Sequence, residues 1–508
     1  MLARVHSEAL SGLESHPVAV EADVVPAAPA FTIVGLPDAA VQESRERVRT
    51  AIVNSRYEFP SRRITVNLAP ADVRKEGPAF DLPIALALLC ATGQSRCGLS
   101  GAAAIGELGL DGSVRPVSGV LAVAQSAQRR GLRTLLVPDA NAREAALVAG
   151  LDVLPAATLR QAAALLAGVA GAAVERTDAE RLLQHHETTD ADLSDVLGQA
   201  GVKRVLEVAV AGAHNLLMVG PPGSGKTMLA RRVPSIMPPL SVDESIDVTR
   251  VYSVAGMLPA GVSLVVRRPF RAPHHTISAV GLVGGGATPR PGEVTLAHHG
   301  VLFLDEFPEF RASALEGLRQ PLEDGEVTIS RALQSLTFPA RIMLVAAMNP
   351  CPCGFRGDKG RHCTCPAHRL ALYGQRLSGP LLDRIDLRID VPRLTPRDRR
   401  ALAEGEPSAV VRARVAAARD RQRRRLAACG ASANAHLSAR GLRELCVLEP
   451  AARSELDHAY ETLHLSARAC DRVTKVAQTI ADLDGSDTIA RQHVRESLSY
   501  RGESWKRA

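Results

Sequence analysis

The sequence predicts a multidomain α/β protein organised around a nucleotide-binding core. The apolar run Leu216–Val219 leads into the glycine-rich motif GPPGSGKT at 220–227 and then into a helical pattern. That order of strand, loop and helix is the context of a P-loop. A second apolar run, Val301–Leu304, ends in two acids. With 508 residues, 46% of them hydrophobic, the chain is long enough for about three packed domains.

Residues 1–170 are predicted to form an α+β domain. Alternating apolar patterns, helical periodicity and an Asp-Gly turn indicate its elements. They are strands at 18–25, 31–36, 63–68, 135–138 and 151–154, helices at 38–54 and 81–91, and a hairpin at 108–114. Residues 171–194 are polar and charged, and we expect them to be a linker because such stretches rarely pack.

Residues 195–394 are predicted to form the nucleotide-binding core. Glycines allow the loop backbone to wrap closely, so that N–H groups face phosphate oxygens. Lys226 is expected to reach the β- and γ-phosphates of ATP, and the Thr227 hydroxyl to ligate Mg²⁺. The predicted nucleotide-binding residues are Gly220, Pro221, Pro222, Gly223, Ser224, Gly225, Lys226 and Thr227.

Polar side chains follow two further buried strands of this core. Asp305 is expected to hold Mg²⁺, and Glu306 to polarise the attacking water. The apolar run 342–347 leads to Asn349, at the position called sensor 1 in AAA+ ATPases. We expect Asn349 to orient water against the γ-phosphate. Together these residues predict ATP hydrolysis.

A long stretch at 241–300 is interrupted by glycine and proline. Loops of this length inside a compact domain are usually functional. The stretch contains the adjacent pairs His274-His275 and His298-His299. Adjacent histidines rarely point at one ion, so a role in positioning the loop is favoured over metal binding.

Four cysteines cluster in an insertion at 351–365. Cys351-Pro-Cys353 and Cys363-Thr-Cys365 are separated by nine residues. Four thiolates suit tetrahedral zinc, although C-x-C spacing is less diagnostic than C-x-x-C. Two interpretations stay open, namely a closed structural Zn²⁺ site and four reduced structural cysteines.

Two arginines are candidates for contacts with nucleotide phosphates. Arg384 is a candidate arginine finger, offered to the nucleotide of a neighbouring subunit to neutralise developing charge. The alternative is an ion pair within the chain, with Asp383 or Asp386. Arg468 opens a predicted helix and stands where a sensor-2 arginine would lean from a lid onto the γ-phosphate. Residues 395–508 are predicted to be this helical lid domain.

The net charge of +7 permits a polyanionic partner. Residues 326–338 alternate like a hairpin with Arg331 near its tip. Residues 412–425 carry seven arginines on a predicted helix. A solvated basic face is favoured there over direct nucleic-acid contact.

The sequence holds no run of 18 apolar residues, and it does not begin with a basic stretch followed by an apolar one. We therefore expect no transmembrane helix, no signal peptide and no membrane partner. The expected location is the cytoplasm.

Residues 75–80 (KEGPAF), 106–108 (GEL) and 114–121 (VRPVSGVL) resemble the Lon-protease domain. The resemblance implies a nucleophilic serine after Gly-Pro and a lysine after the second glycine pair. Those positions hold Ala79 and Leu121 here. Without a hydroxyl or an amine, acyl transfer cannot run, so we expect a scaffold or contact domain.

The whole chain resembles the ComM/YifB family of magnesium-chelatase-like AAA+ ATPases. Four motifs carry this resemblance, namely FTIVGLPD at 31–38, RAPHHT at 271–276, AHHG at 297–300 and SGPLLDRID at 378–386. The resemblance implies an AAA+ core of the helix-2-insert type, with the insert near 271–290 and a pre-sensor hairpin at 326–338. It also implies a homo-hexameric ring that uses ATP and Mg²⁺.

In ComM proteins the ring is a DNA helicase that drives branch migration during natural transformation. The resemblance thus implies single-stranded or branched DNA as the partner, with hairpin residues such as Arg331 contacting the phosphate backbone in the pore. The alternative is a chelatase-type or protein-remodelling AAA+ ATPase that acts on a protein partner.

Overall fold

The computed structural model divides into two compact units. One comprises residues 1–185, 241–266 and 332–336, and the other comprises 186–240, 267–331 and 337–508. Among the described helices, none has the length and apolarity that a membrane span requires. The structure describes residues 1–96, 98, 101–169, 171, 173–184, 191–259, 261–286, 289–331, 334–358, 360–394 and 405–501.

The first unit is built on a seven-stranded mixed sheet with the order β3-β4-β2-β1-β5-β8-β9, beside a separate β6–β7 hairpin. The strands are β1 (Leu2–Ser11), β2 (Glu14–Val25), β3 (Ala30–Val34), β4 (Arg63–Ala69), β5 (Ala102–Ala104), β6 (Glu107–Leu108), β7 (Val114–Arg115), β8 (Thr134–Pro138) and β9 (Asp152–Ala156). The helices are Ala39–Asn54, Asp81–Ala91, Val120–Arg129, Ala142–Ala145, Leu159–Leu166, Ala179–Gln184 and Val242–Val254, with 3₁₀ turns at Pro78–Phe80 and Asp139–Asn141.

The α+β character expected for this region agrees with the mixed sheet, and the Asp-Gly turn joins the antiparallel strands β6 and β7. Strand β1 was not predicted from the sequence. This strand pairs antiparallel with β2 along its whole length. Glu8 on β1 is buried, and it accepts hydrogen bonds from Ser15 at 3.0 Å and Ser126 at 2.9 Å. A buried carboxylate interrupts the apolar alternation by which a strand is recognised.

The helix Val242–Val254 belongs to the first unit, although the sequence predicts one core over residues 195–394. Its N-terminus is closed by a capping box between Ser241 and Glu244. Near its C-terminus, the Ser253 hydroxyl donates to the buried Glu144 carboxylate, and the Gly119 N–H donates to the Ser253 carbonyl at 3.1 Å. These bonds tie the segment to the first unit, across more than a hundred residues of sequence.

The second unit contains a five-stranded sheet with the order β11-β14-β17-β10-β18, and its four strand pairings are parallel. The strands are β10 (Leu216–Val219), β11 (Phe270–Arg271), β12 (Gly284–Gly285), β13 (Arg290–Pro291), β14 (Val301–Leu304), β15 (Glu326–Arg331), β16 (Gln334–Pro339), β17 (Met343–Met348) and β18 (Leu387–Asp390). β12 pairs with β13, and β15 pairs with β16, as separate two-stranded ribbons.

The rest of the second unit is mainly helical. Its helices are Ala200–Gly212, Lys226–Ala230, Val233–Ile236, Ala279–Val283, Glu293–Leu296, Ala312–Gly317, Arg319–Asp324, Ala367–Gln375, Gly379–Leu382, Ser408–Leu426, Ala439–Leu445, Pro450–Thr462, Ala467–Leu483 and Arg491–Ser499, with 3₁₀ turns at Leu193–Asp195, Phe307–Glu309 and Asn434–His436. Val411 and Ile480, from two C-terminal helices, lie in the same buried cluster as Leu216 and Val301 of the sheet. The C-terminal helices therefore share a core with the sheet.

Some arginines of the helix Ser408–Leu426 form ion pairs within the second unit. Arg414 pairs with Glu207 at 2.5 Å and with Glu406 at 2.6 Å. Arg425 pairs at 2.6 Å with Asp482, whose side chain is fully buried. Since these guanidinium groups hold the helix to its neighbours, the predicted basic face is only partly available to a partner.

Candidate nucleotide site

The polar residues predicted for catalysis follow three adjacent strands of the parallel sheet. β10 ends at the P-loop, β14 ends at Asp305, and β17 ends at Asn349. Val219 pairs with Met348, and Leu304 pairs with Ala346, so the three strand ends lie side by side. The carboxyl edge of a parallel sheet is where α/β proteins bind their ligands. The local sequence thus brings the predicted residues to one edge.

The P-loop backbone passes so close to its neighbours that glycine is required at its start. A Cβ on Gly220 would lie 2.3 Å from the Val391 carbonyl oxygen. Gly223 and Gly225 have φ values of +75° and +91°, which side-chain-bearing residues rarely adopt. This conformation turns the backbone around a concave space that suits phosphate.

The Lys226 side chain is buried inside the P-loop. Its Nζ donates to the carbonyl oxygens of Gly220 at 2.7 Å and Pro221 at 3.0 Å, and to Asn349 Oδ1 at 3.3 Å. Burial lowers the pKa of the Lys226 ammonium, while Asp305 acts in the opposite sense. Main-chain carbonyls are weaker partners for an ammonium than phosphate oxygens, so this cation is positioned to bind phosphate.

Two oxygen donors suited to magnesium meet beside the P-loop. The Thr227 hydroxyl donates to Asp305 Oδ2 at 2.6 Å. The other carboxylate oxygen of Asp305 accepts the Glu306 N–H at 3.0 Å, which fixes the carboxylate plane. Hydroxyl and carboxylate oxygens are the ligands that Mg²⁺ prefers. Thr227 and Asp305 are the residues that would hold this ion together with the nucleotide phosphates.

Glu306 is held by a histidine that the sequence analysis did not assign to the site. The residue has φ of +52°, and its side chain is 57% exposed. His275 Nδ1 lies 3.3 Å from Glu306 Oε2, and the histidine ring packs edge-on against Phe310. The signals in the sequence that single out His275 are its place in the motif RAPHHT at 271–276 and in a long loop after β11.

Asn349 connects the P-loop to the cysteine-rich insertion. Its side chain accepts from Lys226, and its carbonyl oxygen accepts the Tyr373 hydroxyl at 3.1 Å. The four cysteine sulfurs of the insertion lie within 4.8 Å of one another, and all four are free thiols. The structure therefore brings the two predicted C-x-C pairs into one cluster. The cluster members are Cys351, Cys353, Cys363 and Cys365.

Arg384 does not lie with the P-loop of its own chain. It precedes β18, at the amino edge of the sheet, whereas the P-loop follows β10 at the carboxyl edge. The guanidinium pairs with Glu323 and donates to the Pro380 carbonyl at 2.8 Å. The alternative of an ion pair within the chain is thus realised, but with Glu323 rather than with either neighbouring aspartate.

Arg468 lines the same cavity as Arg384, and none of the described P-loop residues lines that cavity. The cavity measures ≈ 590 Å³ and lies between the C-terminal helices and the amino edge of the sheet. Asn215 and Arg341, which lie at the starts of β10 and β17, line the same cavity. In a single chain the two predicted phosphate-contacting arginines therefore line one cavity, at the edge of the sheet opposite the P-loop.

Models of three regions of magnesium chelatase match successive parts of this chain. "Magnesium chelatase, subunit ChlI" matches residues 192–399, "Subunit ChlI of Mg-chelatase" matches 20–141, and the ChlI C-terminal model matches 405–501. The protein YifB of Escherichia coli is 45% identical over 507 residues, covering 98% of this chain and 97% of YifB. The chain belongs to the ComM/YifB family of magnesium-chelatase-like AAA+ proteins.

Two other relatives of this ComM/YifB chain align over nearly its full length. The competence protein ComM of Haemophilus influenzae is 42% identical, covering 98% of this chain and 97% of ComM. The uncharacterised protein Rv2897c of Mycobacterium tuberculosis is 44% identical, covering 98% of both chains.

The chain also has a partial similarity to proteases. A Lon protease of Roseiflexus castenholzii is 34% identical over 130 residues, which is 24% of this chain and 16% of the protease. In the first unit, Ala79 carries no hydroxyl and Leu121 is fully buried, with its N–H donated to Glu144 at 3.0 Å. At these two positions this ComM/YifB chain therefore lacks the hydroxyl and the amine that Lon-type acyl transfer requires.

The candidate DNA contact, Arg331, lies at the end of β15. β15 and β16 form the hairpin that the sequence predicts, and the hydroxyls of Thr328 and Thr337 are 3.2 Å apart across it. The Arg331 side chain lies outside the described part of the structure. Its role stays a prediction.

Proposed function

We propose that this chain is the ATP-hydrolysing subunit of an AAA+ ring motor that acts on DNA. The observation that carries the proposal is the separation of the predicted site between two edges of one sheet. The P-loop lies at the carboxyl edge, and Arg384 and Arg468 line a cavity at the amino edge. A second copy, packed head to tail, would bring its arginines to the first copy's nucleotide. Head-to-tail contacts that close generate rings, and the family resemblance suggests six subunits.

In this proposal each P-loop prepares its nucleotide for attack by water. Lys226 binds the β- and γ-phosphates, while Thr227 and Asp305 hold Mg²⁺, which neutralises phosphate charge. Glu306 orients and polarises the attacking water, and Asn349 orients the same water against the γ-phosphate. These groups act mainly through position and electrostatics, which dominate phosphoryl transfer.

The neighbouring subunit supplies the remaining positive charge. Arg384 of that subunit stabilises the charge that develops on the transferred phosphoryl group, and Arg468 contacts the γ-phosphate from the same side. Within one chain Arg384 pairs with Glu323. On assembly, Arg384 would release Glu323 and contact a phosphate of the nucleotide in the neighbouring subunit. Hydrolysis would therefore depend on formation of the ring.

The architecture we propose is an AAA+ core of the helix-2-insert type with a C-terminal lid. Between β11 and β14, two short helices flank the β12–β13 ribbon, which supports an insert interrupting a helix. The proposed domains are a Lon-protease-like domain at 1–170, a linker at 171–194, the ATPase core at 195–394 and the lid at 395–508. The segment 241–266 modifies this scheme by joining the first unit.

DNA is proposed as the substrate because one relative is a competence protein and the chain is basic. Arg331 on the β15–β16 hairpin is the candidate contact with the phosphate backbone, and the motor would act in the cytoplasm on single-stranded or branched DNA. Contacts of this kind are independent of sequence and weaken steeply with salt.

The proposal is tested by measuring ATP hydrolysis with branched, single-stranded and duplex DNA, together with displacement of a labelled strand. We expect DNA to stimulate hydrolysis, the stimulation to fall as salt is raised, and Glu306→Gln to abolish strand displacement. Intact hydrolysis with neither stimulation nor displacement would overturn the DNA motor. It would favour the alternative, a chelatase-type or protein-remodelling ATPase.

A further inference from the structure

We infer that Cys351, Cys353, Cys363 and Cys365 bind one Zn²⁺, and that this ion holds Asn349 in position against the P-loop. Metal occupancy would then set the rate of ATP hydrolysis. The kinetic part of this inference rests on the proposed ATPase function, whereas the metal site rests on the cysteine geometry alone.

Three of the four sulfurs have separations close to those of a tetrahedral site, and Cys365 Sγ lies within 4.8 Å of each of them. Cys351 Sγ lies 3.3 Å from Cys353 Sγ and 3.7 Å from Cys363 Sγ, and Cys353 Sγ lies 3.6 Å from Cys363 Sγ. A tetrahedron with Zn–S bonds of about 2.3 Å has S···S edges of about 3.8 Å. Disulfides, at about 2.05 Å, are far shorter. The separations therefore fit ligands that share one ion.

The donor set selects the class of metal. Four thiolates in tetrahedral geometry favour Zn²⁺ over hard cations such as Mg²⁺, and a closed S₄ set leaves no open coordination position. The Cys353 N–H donates to Cys365 Sγ at 3.3 Å, which stabilises sulfur carrying negative charge. The site is therefore structural, and it does not supply a reacting group.

The cysteine-rich insertion contacts the P-loop and is joined to Asn349. The insertion at 351–365 is called the metal loop here. Cys351 follows Asn349 by two residues, so one end of the metal loop is continuous with the sensor-1 residue. Gly354 lies in the loop with φ of +84°, and a Cβ there would be 2.5 Å from Pro222 Cδ of the P-loop. The loop and the P-loop are therefore in contact through a residue that has no side chain.

The other end of the metal loop also returns to Asn349. The helix Ala367–Gln375 begins two residues after Cys365. From this helix, the buried Tyr373 donates its hydroxyl to the Asn349 carbonyl. An ion that links Cys351 to Cys365 would fix both ends of the metal loop relative to Asn349. Without the ion, β17 still holds Asn349 from one side, but the metal loop no longer supports it from the other.

The metal is tested by zinc analysis of the full-length protein and of a Cys353→Ser/Cys363→Ser double variant. Cys470→Ser is the matched control, since Cys470 is a half-buried free thiol outside the cluster and outside the cavity that Arg384 lines. We expect one zinc per chain in the wild type and in Cys470→Ser, and less than about a tenth of that in the double variant. We also expect kcat of the double variant to fall at least about tenfold, with nucleotide affinity changed less than about threefold.

The coupling is tested separately by Gly354→Ala, which keeps all four thiols. Its Cβ meets Pro222, so we expect zinc to be retained and kcat to fall. Gly357→Ala is the control, because Gly357 has a similar φ of +75° and nothing within 4 Å of its Cβ position. Both variants carry the same kind of backbone strain, but only the first pushes on the P-loop.

Wild-type protein that contains no zinc, even after reconstitution with the metal, would overturn the metal site. Loss of zinc with unchanged kcat, or equal kcat in Gly354→Ala and Gly357→Ala, would overturn the coupling. If zinc-loaded wild type binds the ion stoichiometrically but never hydrolyses ATP, the proposed function fails while the metal site stands.

Discussion

The Lys226 ammonium makes three contacts inside the P-loop, and only one of them is to a side chain. Two main-chain carbonyls and one amide oxygen compensate for part of its lost hydration, and burial still lowers its pKa. A phosphate group would offer this cation a charged partner instead. The local geometry thus favours an anion next to Lys226.

Two single substitutions at this site should have different effects. Lys226→Ala should weaken ATP binding by about a hundredfold or more, because it removes a charged hydrogen bond to phosphate. Glu306→Gln should bind ATP with nearly unchanged affinity but hydrolyse it about a hundredfold more slowly. Equilibrium binding of a fluorescent ATP analogue and steady-state hydrolysis separate the two effects. Equal loss of binding in both variants would contradict the assigned roles.

His275 should restrain Glu306 when DNA is not bound. Because His275 Nδ1 lies 3.3 Å from the Glu306 carboxylate, His275→Ala should free the carboxylate and raise hydrolysis without DNA several-fold. The stimulation by DNA should fall correspondingly. His274→Ala is the control, since His274 bonds to Thr276 at 3.0 Å and not to Glu306. Lower hydrolysis in His275→Ala than in this control would show that His275 supports catalysis instead.

At the scale of elements, a short run of sequence was enough to predict how the site is assembled. An apolar strand followed by glycines, and another followed by acids, must meet at one edge once the sheet is parallel. The relation between His275 and Glu306 was not predictable in this way, because no local pattern links residues from two separate loops. The same applies to Arg384 and Glu323, whose contact depends on how distant helices pack.

The assignment of helix Val242–Val254 to the first unit was likewise not predictable. Its capping box is visible in the sequence, but its packing partner is not. The contact depends on Glu144, a carboxylate buried in the first unit. Similarly, β1 was missed because polar residues such as Glu8 are buried along it, satisfied by distant hydroxyls and by Arg130 at 2.5 Å. Local sequence patterns show neither the packing partner of a helix nor the distant groups that pair with a buried carboxylate.

The buried carboxyl of Glu144, which contacts the helix Val242–Val254, can be tested through the pH dependence of stability. Burial raises the pKa of Glu144, despite hydrogen bonds from Ser253, Leu121 and Asn141. The folded state therefore holds this proton more tightly than the unfolded state, so the group costs stability as pH rises through its folded pKa. Glu144→Gln keeps a carbonyl acceptor without charge, and at pH 8 it should melt on the order of 2 °C higher than the wild type.

At pH 5 this difference should shrink, because the wild-type carboxyl is then more fully protonated. Glu14→Gln, at an exposed position at the start of β2, is the control and should show no such pH dependence. Thermal melts at the two pH values provide the measurement. A difference that grows toward acidic pH would contradict the sign derived for Glu144.

At the scale of the whole molecule, the predicted site residues are divided between the two edges of one sheet. The P-loop side carries the groups proposed to bind ATP, and on the opposite side Arg384 and Arg468 line one cavity. Arg384 was predicted from the sequence to serve a neighbour. The position of Arg468 on the same side was not predicted, because it depends on how the helix Ala467–Leu483 packs.

Arg468→Ala should therefore behave like Arg384→Ala rather than like Lys226→Ala. Both variants should bind ATP with an affinity close to that of the wild type, since neither arginine lies near the P-loop of its own chain. Both should hydrolyse it at least about tenfold more slowly. A loss of nucleotide affinity by Arg468→Ala in dilute, unassembled protein would indicate that this arginine acts within its own chain.

We expect a second copy to complete each ATP site, and mixing two inactive variants tests this claim. Lys226→Ala subunits retain Arg384 but lack ATP binding, and Arg384→Ala subunits bind ATP but lack the finger. In mixed assemblies, interfaces that combine an intact P-loop with an intact finger should restore part of the hydrolysis that neither variant shows alone. No recovery of hydrolysis, with co-assembly verified by differently tagged subunits, would contradict the claim.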